Sequence, residues 1–231
     1  STIKIDGKVS SNQFDLSQFG FLESIDGDIS IDLFGEIKNN QIKKADILLD
    51  LTKSKINLDF INYIKKFNET AIIKFNYKNN KNDGSFVLEN INYETKDLKF
   101  YGDIELDSSL EISRIDIEKF ISPMNDFSFS VRKKRPKGFL IAVNGKKLYV
   151  ESYVKKFLDS ELKFEFPEIK IFIQVNKMQF TKNQFLTESK TEIEYNGTSI
   201  EFLKSTGKLN NEGYIIAKII SKGIKEKYFL L

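Results

Sequence analysis

The stretch that decides the fold is Phe127-Ser128-Phe129-Ser130-Val131, in which apolar and small polar residues alternate without a break. A period of two places the apolar side chains on one face of a β-strand and the serines on the other. Because parallel strands read as continuous apolar runs, this alternation predicts antiparallel strands with one apolar and one solvated face. The same alternation recurs in six further sets, whose apolar members are Ile29, Ile31 and Leu33; Ile47, Leu49 and Leu51; Ile73, Phe75 and Tyr77; Phe139, Ile141 and Val143; Ile169, Ile171, Ile173 and Val175; and Tyr214, Ile216 and Ile220.

The number of such segments constrains the architecture. The pattern predicts roughly fourteen to sixteen strands of about 5–7 residues each. An open twisted sheet rarely exceeds about ten strands without curling or splitting into two layers. The 231-residue chain is therefore predicted to be all-β, as either a closed or sandwiched domain or a long antiparallel meander that curls into a trough.

Turns and short helices are predicted from local signals. Asp and Asn before Gly tolerate the positive φ of a type I′ turn, so each such pair predicts a hairpin. Residues 59–67 and 151–158 carry apolar side chains at helical spacing and predict two short helical turns. The five Asx-Gly pairs are Asp6-Gly7, Asp26-Gly27, Asp83-Gly84, Asn144-Gly145 and Asn196-Gly197.

Composition excludes several classes of function. The 36 basic and 33 acidic residues are interleaved and leave a net charge of +3, which is typical of a solvated surface and not of a nucleic-acid interface. The chain has no cysteine and no histidine. It therefore lacks disulfides, thiolate chemistry, the usual neutral-pH base and the commonest metal ligand. We predict no catalytic residue, no metal, no cofactor and no nucleic-acid partner.

Three local motifs also have structural interpretations. The basic run at 132–137 is predicted to be a solvated hairpin loop, although it could also contact anionic headgroups. Carboxylates recur with period two at 26–32 and 103–107, which indicates a wet strand face more than a Ca²⁺ site. Ser205-Thr206-Gly207-Lys208 is not a P-loop, because Phe202 stands where the first glycine is needed, and it predicts a turn. The hypothesis of a hydrolase is supported only by these carboxylates and by the Ser-x-x-Lys sequence of residues 205–208.

The apolar stripe itself has two interpretations. It is either self-packed core, as in most β-proteins, or the lining of a cavity for acyl chains. Sequence periodicity alone does not separate the two.

Four segments resemble the conserved region of the YhdP-like branch of the AsmA superfamily, which are large proteins of the Gram-negative envelope. The resemblance covers about residues 45–220, although Tyr63-Ile64 stands where relatives carry Gly-Trp. The four segments are residues 50–58; residues 98–102 with 110–117; residues 127–132 with 139–148 and the turn at 153–158; and residues 195–197 with 212–216.

The resemblance implies a periplasmic protein anchored in the inner membrane by a segment outside this chain. It implies that residues 1–231 form a single elongated β-domain, a piece of a longer protein, whose curled sheet conducts phospholipid between membranes without catalysis. The rival hypothesis is a structural β-sandwich module for envelope assembly with no lipid ligand, and the oligomeric state stays open. The residues expected to contact acyl chains are Ile31, Leu49, Phe75, Phe129, Ile141, Ile171 and Ile216.

Overall fold

The computed structural model describes residues 1–10, 24–58, 63–80, 84–134, 137–151, 167–221 and 227–230. The chain is nearly all β, which confirms the predicted fold class. It forms two compact units, a first unit of Ser1–Ser113 and a second unit of Arg114–Leu231. Within each unit the described strands form one open, curled, mostly antiparallel sheet and not two facing layers.

The first unit is an antiparallel sheet in which most strand pairs join neighbours in sequence. Alternating β-branched and aromatic residues favour these strands, because such side chains pack well on a pleated, half-buried surface. The strands are β1 (Thr2–Ser10), β2 (Ser24–Lys38), β3 (Gln41–Asp50), β4 (Ser54–Leu58), β5 (Tyr63–Lys65), β6 (Ile72–Asn79), β7 (Phe86–Glu94) and β8 (Lys99–Leu106).

Two of these strands are interrupted at one level of the sheet. Asp50 of β3 lies opposite Ser30 and Ser54 of β4 lies opposite Gly27, so β4 continues β3 along β2 after residues 51–53. The neighbouring strand is interrupted in the same way, since β5 pairs with β4 and β6 pairs with β3. The first unit therefore has a double interruption, here called the kink, that crosses two adjacent strands at residues 51–53 and 66–71.

A buried lysine ties this kink together. The side chain of Lys65 has no solvent exposure, and its Nζ donates hydrogen bonds to the carbonyl oxygens of Ser54 at 2.6 Å, Lys66 at 3.0 Å and Thr52 at 3.5 Å. These carbonyls belong to both interrupted segments. Because a buried carbonyl without a donor is costly, the ammonium group stabilises the broken strand pairing.

The helical turn predicted at 59–67 is wrong where the structure describes it. Tyr63–Lys65 is strand β5, in which Tyr63 and Lys65 are buried while Ile64 is 57% exposed. Pairing with β4 thus imposes a period of two on a segment whose apolar spacing favours a helix. Glu151 is helical, and the rest of the turn predicted at 151–158 lies outside the described residues.

The prediction of a hairpin at each Asx-Gly pair is confirmed at Asn196-Gly197, which joins two strands. It is wrong at three pairs that lie inside strands. These are Asp6-Gly7 in β1, Asp26-Gly27 in β2 and Asn144-Gly145 in the strand of residues 139–149. Asp83 lies outside the described residues. Two hairpins instead turn on Asn-Asn pairs, Asn39-Asn40 with φ of 54° and 57° and Asn210-Asn211 with φ of 48° and 65°. Asparagine reaches the left-handed region that a type I′ turn needs, so glycine is dispensable there.

The second unit contains one parallel pair. Its strands are antiparallel to their neighbours except β11 and β12, which run parallel from Phe139 opposite Ile169 to Tyr149 opposite Gln179. The expectation of antiparallel pairing throughout is wrong at this pair, because residues 150–168 provide the long connection that parallel strands require. The strands are β9 (Ile112–Ser122), β10 (Asn125–Lys133), β11 (Phe139–Tyr149), β12 (Ile169–Gln179), β13 (Phe185–Tyr195), β14 (Ile200–Leu209), β15 (Gly213–Ser221) and β16 (Lys227–Leu230).

Bulges reverse the alternation partway along the second unit. Register shifts fall near Phe127 of β10 against both neighbouring strands and between Thr187 and Lys190 of β13. An extra residue in one strand moves the following side chains to the other face and increases the local bend. Val143 and Leu148, an odd number of residues apart, consequently pack in one cluster.

Gly145 is required by this geometry, and its replacement provides a test. A Cβ at Gly145 would lie 2.5 Å from the Phe127 Cα and the Asp126 carbonyl oxygen, whereas a Cβ at Gly7 would meet nothing within 4 Å. We expect Gly145→Ala to lower the free energy of unfolding by about 1–3 kcal/mol, the usual cost of overpacking. Gly7→Ala, in the interior of β1, should be neutral or stabilising by about 0.5–1 kcal/mol. Urea unfolding of both variants measures the difference, and equal effects would contradict the close approach at Gly145.

Candidate functional site

The polar face of the first unit carries a chain of hydrogen bonds across four strands. Asn76 Nδ2 donates to Asp46 Oδ1 at 2.6 Å, and Asn90 Nδ2 donates to Asn76 Oδ1 at 2.9 Å. Asn90 has a φ of 55°, and its backbone N–H donates to Asp103 Oδ1 at 2.8 Å. This series of hydrogen bonds joins polar side chains of one face across the strands.

The opposite face of the first unit carries rows of apolar side chains that cross the strands. One row runs through β2, β3, β6, β7 and β8 as Ile31, Leu49, Ile73, Tyr93 and Phe100, each directly opposite the next. A parallel row holds Leu33, Ile47 and Phe75. The predicted contact residues Ile31, Leu49 and Phe75 therefore share one face, and all three are only half-buried.

The apolar face of the second unit holds a longer row, here called the aliphatic row. It crosses seven strands without a polar member, and every residue in it is half-buried. Its members, in order from β9 to β15, are Ile115, Val131, Ile141, Ile171, Ile193, Leu203 and Ile219. Two predicted contact residues, Ile141 and Ile171, lie in the row, and Phe129 lies in the adjacent row beside Ile117 and Val143.

The apolar faces are not uniform, because each also contains a packed part. In the second unit Leu148, Val175, Met178 and Leu186 are each at most 8% exposed and form a closed cluster beyond the bulges. In the first unit the buried apolar residues at the kink are Leu51, Ile56, Ala71 and Leu98. Self-packing thus accounts for these parts of the stripe and for Tyr93 and Ile117, which are 3% and 6% exposed, whereas the other members of the rows described above keep accessible apolar surface.

A hydroxyl network lies beside the kink. Tyr63 Oη lies 3.2 Å from Tyr93 Oη and 3.0 Å from Thr95 Oγ1, and Thr95 Oγ1 also bonds to the carbonyl of Leu98 at 3.1 Å. Burial raises the pKa of both tyrosines, so their hydroxyls are neutral at ordinary pH. The network satisfies buried polar atoms and presents no charged group to the apolar face.

Ile216 is placed on the wrong face by the predicted alternation. It lies opposite Thr206, which lies opposite Lys190, whereas Ile215 and Ile219 share the face of the aliphatic row. Strand β15 has apolar residues at consecutive positions, so a period of two does not determine which of them faces inward. Ile216 is accordingly 48% exposed and does not belong with the other candidates.

Sequence reasoning also missed members of the row. Ile193 lies between Glu192 and Glu194, so its alternation identifies it as inward-facing. Leu203 and Ile219 each have an apolar neighbour in sequence, so alternation does not show which of the two residues shares the face of the row. Ser205-Thr206-Gly207-Lys208, predicted as a turn, instead lies inside β14. Its Ser205 Oγ lies 2.7 Å from Thr191 Oγ1 in a buried contact.

The densest basic run is partly neutralised by ion pairing. Arg132 and Lys133 belong to β10, and residues 135–136 lie outside the described part of the chain. The guanidinium groups of Arg132 and Arg114 both bind the Asp116 carboxylate. Burial alone would raise the pKa of Asp116, but these two cations outweigh it and hold the pKa below the usual 3.8.

This pairing predicts a pH dependence. Since Asp116 has a lower pKa folded than unfolded, its stabilising contribution is present above pH 3.8 and is lost as the pH falls through the folded value. We expect Asp116→Asn to be less stable than the wild type at neutral pH and to show a smaller further loss of stability on acidification. Urea midpoints measured from neutral pH down to pH 2 test this expectation, and parallel curves for the two proteins would contradict it.

The described residues contain no group of three or more metal-binding side chains arranged to hold an ion. In the same part of the chain, no helix has the length and apolar character needed to cross a membrane. The chain matches no family model, no curated protein and no solved structure.

Proposed function

We propose that the apolar faces of the two units bind phospholipid acyl chains without catalysis. The observation that carries this proposal is the aliphatic row, because its seven residues are all apolar and none is fully buried. Monomeric soluble proteins rarely leave a contiguous apolar surface of this kind without a ligand or partner. The charged opposite face provides the solvated exterior that such a protein needs.

The dimensions of the row fit an acyl chain that lies across the strands. Six inter-strand spacings of about 4.8 Å give about 29 Å. The hydrocarbon region of a bilayer is about 30 Å thick and contains two acyl-chain lengths, so the row accommodates one or two chains end to end. Burial contributes about 0.8 kcal/mol per CH₂ and has no directional requirement, which favours affinity for a lipid class and not for one species.

The resemblance to the YhdP-like proteins extends this proposal to a location. We place the protein on the periplasmic side of an inner membrane, attached through a segment outside this chain and supporting the lipid balance of the outer membrane. The curled open sheet supports acyl-chain binding, since a sheet with an uncovered apolar face can shelter chains along its width. The rival sandwich module has no corresponding observation in its favour.

Photo-crosslinking tests the proposal directly. A crosslinking amino acid at Phe129 or Ile171 should capture phospholipid from cell membranes, because both side chains contribute to the accessible apolar face of the second unit. The same amino acid at Phe172, which lies on the opposite face of β12 and is 40% exposed, is the matched control. Equal capture at Ile171 and Phe172, or lipid-free protein throughout, would refute acyl-chain binding.

A further inference from the structure

The acceptor sequence Asn-x-Ser/Thr for N-linked glycosylation occurs twice, at Asn68-Glu69-Thr70 and at Asn196-Gly197-Thr198. Such sequences are modified only where the asparagine is accessible on a surface loop of an exported protein. Both asparagines are exposed, so accessibility alone does not separate them. The two asparagines differ in where their hydrogen-bond partners lie in the chain.

The side chain of Asn196 bonds to residues of its own hairpin. Asn196 Oδ1 accepts hydrogen bonds from the backbone N–H of Thr198 at 3.0 Å, from its hydroxyl at 2.8 Å and from the N–H of Ser199 at 3.0 Å. Asn196 Nδ2 donates to Glu201 at 2.8 Å, and Gly197 has a φ of 96°. The register between β13 and β14 shifts right beside this turn, at Glu194 and Tyr195. The partners of the Asn196 side chain thus all lie within residues 198–201, so its contacts stay inside the hairpin of β13 and β14.

Asn68, by contrast, is tied to a different part of the chain. Its backbone N–H donates to the carbonyl oxygen of Thr52 at 2.9 Å, and its Oδ1 accepts from Lys53 Nζ at 3.1 Å. Both partners belong to the interrupted segment between β3 and β4. An enzyme that draws this asparagine into its active site must break these contacts at the kink.

We propose that Asn196 is an acceptor for N-linked glycosylation, an inference that rests on the envelope location in the proposed function. The co-reactant is an oligosaccharide joined through a diphosphate to a polyprenol. Asn196 Nδ2 forms a bond to the anomeric carbon as the bond from that carbon to the diphosphate oxygen breaks. The diphosphate leaves with the electron pair, and the amide gives up one proton to a base of the transferase. Three donors on Oδ1 draw electron density from the amide and favour loss of that proton.

The Thr198 hydroxyl has a specific part in this proposal. It donates to Oδ1 in the free protein, and it is the group that the acceptor sequence requires. Thr198→Ser keeps the hydroxyl and should remain an acceptor, whereas Thr198→Val keeps the shape and should not. Glu201→Ala removes only the partner of Nδ2, so modification should persist.

The test treats the folded wild-type protein with an oligosaccharyltransferase and its polyprenyl-diphosphate oligosaccharide, followed by mass spectrometry of tryptic peptides. Peptide 191–204 contains Asn196 and peptide 67–74 contains Asn68, which serves as the internal comparison. We expect glycan on peptide 191–204, with occupancy about tenfold or more above that of peptide 67–74, because Asn68 must give up contacts to the separate segment of Thr52 and Lys53, whereas the partners of the Asn196 side chain lie in its own hairpin. Asn196→Gln and Thr198→Val should abolish the modification of peptide 191–204.

An unmodified peptide 191–204 in the folded protein would overturn the proposal, provided that the transferase modifies a control acceptor in the same reaction. Modification of Thr198→Val would overturn it as well. Bound phospholipid is measured on the same samples, so a failure of acyl-chain binding is seen separately from a failure of glycosylation.

Discussion

Under the proposed acyl-chain binding, phospholipid should co-purify with the wild-type protein, and replacing Ile141 by aspartate is expected to remove most of it. Ile141 lies in the middle of the aliphatic row, between Val131 and Ile171 on the neighbouring strands. A carboxylate there would have to be buried against acyl chains without a partner, which costs several kcal/mol. Since 1.4 kcal/mol is a factor of ten in binding, we expect the lipid content to fall by roughly tenfold or more.

The adjacent residue provides the matched control. Leu140 is the preceding residue on β11, is 39% exposed and lies opposite Lys170 and Arg132 on the other face. Leu140→Asp introduces the same charge beside two cations, so it should keep both its lipid and its fold. Lipid is quantified by mass spectrometry after extraction, and circular dichroism shows whether each variant retains its β-structure. Wild-type lipid content in folded Ile141→Asp would contradict acyl-chain binding at the aliphatic row.

The sequence predicts the strands of this protein better than its turns and irregularities. Alternation such as that of Phe127–Val131 reports directly which side chains share a face, because the period of a strand is two. It fails in β15, where Ile215 and Ile216 are both apolar, and beyond bulges such as the one near Gly145. A bulge changes the face of every later residue through backbone pairing with a neighbouring strand, and this is not a local property of the sequence.

Long-range pairing also explains the other differences. Tyr63–Lys65 forms a strand because it pairs with β4. The parallel pairing of β11 with β12 requires a long connection, which residues 150–168 provide. The glycines at Gly27 and Gly145 meet a neighbouring backbone within 2.5 Å of an added Cβ, so their role is close approach inside a strand. A dipeptide rule for hairpins assigns them to turns because it contains no information on neighbouring strands.

The apolar side chains of the second unit differ in how far they are buried, and this difference bears on the two interpretations of the apolar stripe. Periodicity gives the same apolar stripe for a self-packed core and for a lipid-binding face. The structure separates packed from accessible parts of the stripe, since Leu148 and Met178 are buried while Ile141 and Ile171 on the same face are half-buried. The sheet of the second unit thus has a packed part and an accessible apolar part. If the proposed acyl-chain binding is correct, substitutions in the packed part should mainly lower stability, and substitutions in the accessible part should mainly lower lipid content.

Replacing Lys65 by methionine is expected to destabilise the first unit by about 3 kcal/mol. Methionine fills similar volume, but it leaves the carbonyls of Ser54 and Lys66 without the ammonium donor, and hydrogen bonds from a charged donor are each worth about 1.5–3 kcal/mol. The matched control is Lys66→Met, because Lys66 is exposed and adjacent in sequence. Substitution at such a surface site is usually within about 0.5 kcal/mol of neutral. Urea unfolding should therefore separate the two variants clearly, and equal midpoints would show that the ammonium group does not hold the kink.

The pH dependence of Lys65 gives a second readout on the same residue. Burial lowers its pKa below the usual 10.5, against the opposing effect of Glu69 and Asp50. Between the folded value and 10.5 the unfolded chain binds more protons than the folded one, so the free energy of unfolding rises with pH across this window. Lys65→Met removes this rise, whereas Lys66→Met should retain it. A wild-type protein whose stability does not increase over this alkaline range relative to Lys65→Met would show that the ammonium group is not desolvated at the kink.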